Sequence, residues 1–250
     1  MKLEQLVEYL DAYLRVADVD DSATALNGLQ VENTGSVERL AVAVDACQAT
    51  IDAAVALEAD LLLVHHGLFW GGLEPLTGRH WRRLRPLLNH DIALYSAHLP
   101  LDLHPEVGNN AVLARQLGVR EIEWFGDYHG AALGAAGSLK LPRDELVERV
   151  RGVLGVDPHV IPAGPPQITR IGVITGGGGG MIRQAVDAKL DAFVTGEGQH
   201  HTHFDAEEYG ITAVFAGHYA TETVGVRALA AHVEQRFGLP WEFVDHPTGL

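Results

Sequence analysis

The run Leu61-Leu62-Leu63-Val64-His65-His66-Gly67 constrains this chain more than any other. Four aliphatic residues in succession, with no polar alternation, read as a strand buried on both faces, as in parallel sheets covered by helices. Neighbouring side chains on a regular strand point to opposite faces, so His65 and His66 can share a site only where the strand ends and the chain turns. The carboxyl end of such a strand is also where open α/β sheets hold their ligands. Two adjacent histidines there either open a loop or begin a binding site. The rest of the chain favours the site.

The neighbouring segments supply the partners such a strand needs. Residues 3–10 carry an amphipathic helix pattern, 39–45 a strand, the Ala-rich stretch to about 59 a helix, and 92–98 another strand. The basic segment from Arg79 to Arg85 reads as a solvated helix. Asn27-Gly28 signals a turn, and Asn109 and Asn110 are expected to cap a helix ending near Gly118. The Gly- and Ala-rich stretch 126–137 marks the expected boundary, giving halves 1–125 and 126–250. In the second half, 142–154 and 181–189 read as helices, and 170–175, 192–197 and 211–216 as strands. The last helix is expected from about Thr221, as its cap, to Phe237, with Val226, Leu229, Val233 and Phe237 on one face and packed back on the first half.

A repeat lies within this order. Arg39 and Arg170 are 131 residues apart, as are Asp60 and Asp191, and both intervals run strand, helix, Asp, strand. The same offset carries His66 onto Glu197. Tyr95-Ser96-Ala97-His98 matches Phe215-Ala216-Gly217-His218 at an offset of 120, which also carries Asp102 onto Glu222. Each half therefore offers a strand ending in His with a carboxylate four residues later, and the set points to two related halves.

Composition sets the outer limits. A chain of 250 residues with 47% hydrophobic content can form two compact halves with real cores. Lys+Arg is 18 against Asp+Glu 33, and the net charge of -15 argues against non-specific nucleic-acid binding. An anionic small substrate remains open, because a cleft can hold metal. Cys47 is the single cysteine, so neither a disulfide framework nor a thiolate metal cluster is expected; it is assigned to the core, and a reducing cytoplasm is the expected compartment. Met1-Lys2 enters a helix pattern directly and no apolar run reaches transmembrane length, so neither a leader nor a membrane span is expected.

The chemistry lies in the histidines. His with Asp or Glu is the ligand set of Zn, Mn or Fe sites, and His65, His66, His98, Asp102, His218 and Glu222 exceed what one metal needs. Two metals would use them well, activating water and stabilising charge on both sides of a displacement. Glu197, His200, His201 and His203 follow the matching strand of the second half; they either line the same cleft as proton shuttles or form an exposed loop. Gly176–Gly180 sits between a strand and a helix, where backbone amides can cradle phosphate. It lacks the Lys-Ser/Thr of a P-loop and the dinucleotide glycine spacing, so a flexible turn is expected.

His65-His66-Gly67-Leu68-Phe69-Trp70, Ser96-Ala97-His98 with Leu101-Asp102, Thr195-Gly196-Glu197 with His200-His201, and Gly217-His218-Tyr219-Ala220-Thr221-Glu222 resemble the NIF-three-like dinuclear-metal hexamer family, whose members are known as GTP cyclohydrolase 1 type 2 homologues. The resemblance covers nearly the whole chain. It implies an α/β fold of two related halves with intertwined mixed sheets around a dinuclear metal cleft. It implies metal ligands at His65, His66, Asp102, His218 and Glu222, with Glu222 bridging two divalent ions (Zn, Fe, Mn or similar). His98, His201 and Glu197 are then the candidate catalytic groups. The chain resembles the short form, without a domain inserted between the halves, and carries Leu99-Pro100 where relatives have Thr and a small polar residue. The resemblance further implies a ring-shaped homohexamer. Its implied activity is metal-dependent hydrolysis of a nucleotide-like small molecule such as GTP; the alternative is a non-catalytic metal-binding, metal-delivery or regulatory protein.

Overall fold

A computed structural model describes residues 1–70, 72 and 74–250. The chain forms two compact units, Met1–Val107 with Val226–His246, and Gly108–Gly225 with Pro247–Leu250.

The first unit opens with α1 (Leu3–Leu14), which buries Leu3, Leu6, Leu10 and Leu14 at the spacing of one helix face. There follow β1 (Gly28–Val31), β2 (Leu40–Asp45), α2 (Gln48–Ala56), β3 (Leu61–His66), α3 (Gly78–Asn89), β4 (Ala93–Ser96) and the single turn α4 (Leu99–Asp102). β2, β3 and β4 pair in parallel, and β1 adds an antiparallel edge. Leu61, Leu62, Leu63 and Val64 are at most 1% exposed, which accounts for their unbroken aliphatic run. Each such burial stabilises by about 1.5–3 kcal/mol. α3 carries Arg79, Arg82 and Arg85 to solvent and turns Leu87 inward. Cys47 is not in the core: it stands half-buried at the N-cap of α2, where its N–H is accepted by Thr50 Oγ1 at 3.0 Å.

The second unit contains α5 (Asn109–Gln116), β5 (Arg120–Tyr128), β6 (Ala131–Pro142), α6 (Arg143–Leu154), β7 (His159–Pro162), β8 (Gln167–Ile174), α7 (Ile182–Asp187), β9 (Ala192–Thr195), α8 (Thr202–Tyr209) and β10 (Thr212–Phe215). Among the described residues its sheet has six strands in the order β5-β6-β8-β9-β10-β7. β8, β9 and β10 are parallel and the remaining pairs antiparallel. A boundary at 125/126 would cut β5. The Gly- and Ala-rich stretch is instead the inner strand of a hairpin, small because a Cβ at Gly134 would collide with the Phe125 ring and one at Gly137 with the Arg120 carbonyl.

Asn109 and Asn110 do not cap α5; Gly108 does. Both asparagines are buried in its first turn. Asn109 Oδ1 accepts the Gly225 N–H at 2.7 Å, and Asn110 Oδ1 accepts the Thr175 N–H at 2.7 Å while its amide donates to the Leu133 carbonyl. They close buried backbone groups that would otherwise cost about 1–3 kcal/mol each.

The last helix, α9 (His218–Phe237), begins three residues before the expected cap. Thr221 lies inside it and donates back to the Gly217 carbonyl at 3.0 Å. From Val226 onward the helix belongs to the first unit, where Val226, Leu229 and Val233 are fully buried. β11 (Trp241–Phe243) then pairs in parallel with β2, so the first unit's sheet has the order β1-β4-β3-β2-β11 among the described residues. No helix of the described residues is long and apolar enough to cross a membrane.

The repeat has a structural counterpart. Asp60 Oδ2 accepts the N–H groups of Glu38 and Arg39 at 2.8 and 3.0 Å. Asp191 Oδ2 accepts those of Thr169 and Arg170 at 2.7 and 3.0 Å. Each carboxylate leads its own strand and fastens it to the strand beside it.

Candidate metal centre

In the first unit, β3 delivers His65 and His66 as its last two residues, at the point where the sheet ends. The Nδ1–H of His65 donates to the Ala97 carbonyl at 2.8 Å, and that of His66 to Asp45 Oδ1 at 2.9 Å. Asp45 is the last residue of β2 and lies directly opposite His66 in the ladder. His98, the N-cap of α4, donates from Nδ1 to Asp21 Oδ1 at 2.9 Å. Carbonyl and carboxylate acceptors fix the Nδ1 proton in all three rings and leave Nε2 as the coordinating nitrogen, which is how metal-binding histidines are held.

The three rings converge. One ligand atom from each of His65, His66 and His98 lies within 4.8 Å of the others, and Asp102 Oδ2 is 3.6 Å from His65 Nε2. The Trp70 ring stands edge-on to His66 and His98, at centroid distances of 5.4 and 4.7 Å. Gly67 completes the motif for a steric reason: a Cβ there would run into the Gln30 side chain, whose Oε1 accepts the Leu68 N–H at 2.8 Å.

Asp21 and Asn27 carry weight that their places in the sequence do not announce. Burial alone would raise the Asp21 carboxyl, but hydrogen bonds from His98, Asn27 and the Ser22 N–H outweigh it and hold the carboxyl at about 2. Asn27 Oδ1 in turn accepts the His98 N–H at 2.7 Å. By its sequence Asn27 signals only a turn, and no motif connects Asp21 with His98.

In the second unit, His218 opens α9 and Glu222 follows one turn later, with His218 Nε2 at 3.2 Å from Glu222 Oε1. The Nδ1–H of His218 donates to Glu197 Oε1 at 2.8 Å. The Glu222 bond is the largest of the effects that raise the imidazole to about 9, and Glu197 adds to it. Glu222 is buried, at 3% exposed. Gly176, at φ +64°, leaves the space that the Glu222 carboxylate fills, and Gly196 leaves room beside the His218 backbone. The first glycine of the run 176–180 therefore serves a candidate ligand carboxylate by its lack of a side chain.

His201 caps α8 in an exposed position, its Nε2 3.9 Å from Asp205. His200 and His203, not His201, line a cavity that Glu197 shares. His65, His66 and His98 with Asp102 in the first unit, and His218 with Glu222 in the second, each offer the nitrogen and oxygen donors that divalent transition metals take.

The family model described as Duf34/NIF3 (NGG1p interacting factor 3) matches residues 1–248. The chain belongs to the Duf34/NIF3 family. A Duf34/NIF3 relative from Deinococcus radiodurans, named GTP cyclohydrolase 1 type 2 homolog, is 46% identical over 99% of this chain and 94% of its own length. A relative of the same name from Pseudomonas aeruginosa is also 46% identical, covering 98% of each chain. The crystal structure of the protein TTHA1606 from Thermus thermophilus superposes with a TM-score of 0.92 at 44% identity, over 100% of both chains. The α/β architecture with two mixed sheets is thus a Duf34/NIF3 fold.

Proposed function

We propose that this Duf34/NIF3 chain binds two divalent metal ions and hydrolyses a nucleotide-like ring compound, with GTP as the leading candidate. His65, His66 and Asp102 of the first unit and His218 and Glu222 of the second are the proposed ligands. The observation that supports this reading is the hydrogen-bonding pattern that the histidines of both units share: each gives its Nδ1 proton to a fixed acceptor and keeps Nε2 for a ligand role. Divalent ions held by these residues would supply Lewis acidity and an activated water.

The chain's own groups supply the rest. Asp21 stays anionic and holds the His98 ring, so His98 can take or give a proton at Nε2 without turning. Glu197 orients His218 in the same manner. Trp70 packs its ring against those of His66 and His98 and helps to hold them in place. A cytoplasmic homohexamer is the proposed state, in line with the family resemblance of the motifs.

Incubation of the purified protein with GTP, in the presence of zinc, manganese or iron in turn, tests the reading by chromatography of the products. Absence of turnover with all three metals would refute the hydrolase. A metal-delivery role is the second reading, favoured by the 31% exposure of the His218 side chain, which gives a carrier or chelator access. Release of bound metal to a chelator within seconds would support delivery, and retention over hours would oppose it.

A further inference from the structure

The second unit contains a cavity of about 520 Å³, which falls in the size range of small-molecule sites. It opens where the parallel strands β9 and β10 end, the position at which such sheets hold ligands. Its walls are rich in aromatic and imidazole rings. The rings of His159 and Phe215 lie near-parallel, with centroids 6.2 Å apart and 24° between planes. Phe204 stands at the lip, 48% exposed, with its ring edge-on to His200 and His203 at 5.5 and 5.6 Å. Holding a phenyl ring in water forgoes its burial, whereas a flat ring stacked on it would recover that burial.

The polar groups narrow the ligand further. Glu197 lines the cavity and is also the acceptor for His218 Nδ1. A carboxylate can only accept, so it selects a ring edge bearing N–H donors. No lysine or arginine is among the described residues lining the cavity, so it offers no fixed cation for a polyphosphate. The walls suit a flat, uncharged heterocycle.

We propose that this cavity binds the base of a purine nucleoside through an N–H-bearing edge, with Phe204 stacking on the ring and Glu197 accepting from it. The link to catalysis, through Glu197 and His218, rests on the hydrolase reading; the binding itself does not.

Calorimetric titration of guanosine into the full chain, with and without zinc, tests the proposal, with adenosine and ribose as comparisons. Guanosine carries adjacent ring N–H and amino donors and should bind saturably at one per chain, more tightly than adenosine, while ribose should not bind. Phe204→Ala should weaken guanosine about tenfold, the scale of one lost stacking partner, with metal content unchanged. Glu197→Gln should abolish the preference over adenosine. Absence of saturable guanosine binding at millimolar concentration, or equal affinity in Phe204→Ala, would overturn the proposal. GTP turnover with an unchanged KM in Phe204→Ala would remove the cavity from the mechanism and leave the metal reading standing. Guanosine binding that depends on Phe204, without turnover of GTP by any metal form, would refute the hydrolase and keep the cavity.

Discussion

A Cβ on Gly176 would collide with Glu222 Oε1. Gly176→Ala should therefore push the carboxylate aside, and its φ of +64° adds strain of about 1 kcal/mol for any L side chain. The variant is expected to fold and to lose bound metal, read by metal analysis per chain alongside circular dichroism. Gly177→Ala is the control, since its Cβ would meet nothing closer than 4.0 Å. Full metal retention in Gly176→Ala would show that Glu222 is not a ligand.

His218 gives the metal-free protein a distinctive pH response. Its folded value of about 9 lies above the ordinary 6.5, so the folded state holds this proton more tightly than the unfolded state. The resulting stabilisation is complete below about pH 6.5 and is lost as the pH rises through 9. Urea midpoints of metal-stripped protein should fall across that window, and His218→Gln should flatten the fall. An unchanged slope in the variant would assign the effect to another group.

Asp21 acts in the opposite sense. Its carboxyl is held at about 2, below the ordinary 3.8, so its contribution is present above pH 3.8 and disappears as the pH falls towards 2. Asp21→Asn should cost about 1–3 kcal/mol at neutral pH, the scale of a broken buried hydrogen-bond set, and reduce the loss of stability on acidification. It should also release the His98 ring, visible by NMR as a change in its tautomer populations. An undisturbed His98 signal would contradict the pairing.

Asp60 and Asp191 each accept two backbone N–H groups in their own unit, and Asp191 accepts the Thr169 hydroxyl as well, so their removal should cost amounts of the same order, with Asp191 the larger. Asp60→Ala and Asp191→Ala are each expected to destabilise by about 1–3 kcal/mol, because each leaves two backbone N–H groups without their carboxylate. Denaturant titrations of the two variants give the comparison. A large effect from one and none from the other would break the equivalence.

The sequence revealed what depends on local runs and concealed what depends on distance. β2, β3 and β9 were legible because parallel strands buried on both faces must be continuously apolar. The β5–β6 hairpin was not, because its inner strand is built from Gly and Ala, residues depleted in strands, where Phe125 presses against the sheet. β7 lay hidden among prolines, and β11 has only three residues. His65, His66, His98, His218 and the carboxylates drew notice by residue type and position. Asp21 and Asn27 did not, being two ordinary polar residues in a loop more than seventy positions from the histidine they hold.

The paired aspartate fasteners have a consequence for how this chain could change over time. Each is complete within its own copy of the repeat, so either copy can exchange the residues at its strand tips without coming unlatched. The two copies differ in this way: the imidazole of His218 faces the carboxylate four positions on, whereas His98 is bonded to Asp21 and Asp102 lies beside His65. The framework keeps the twofold repeat, while the side chains at its tips make different bonds in each half.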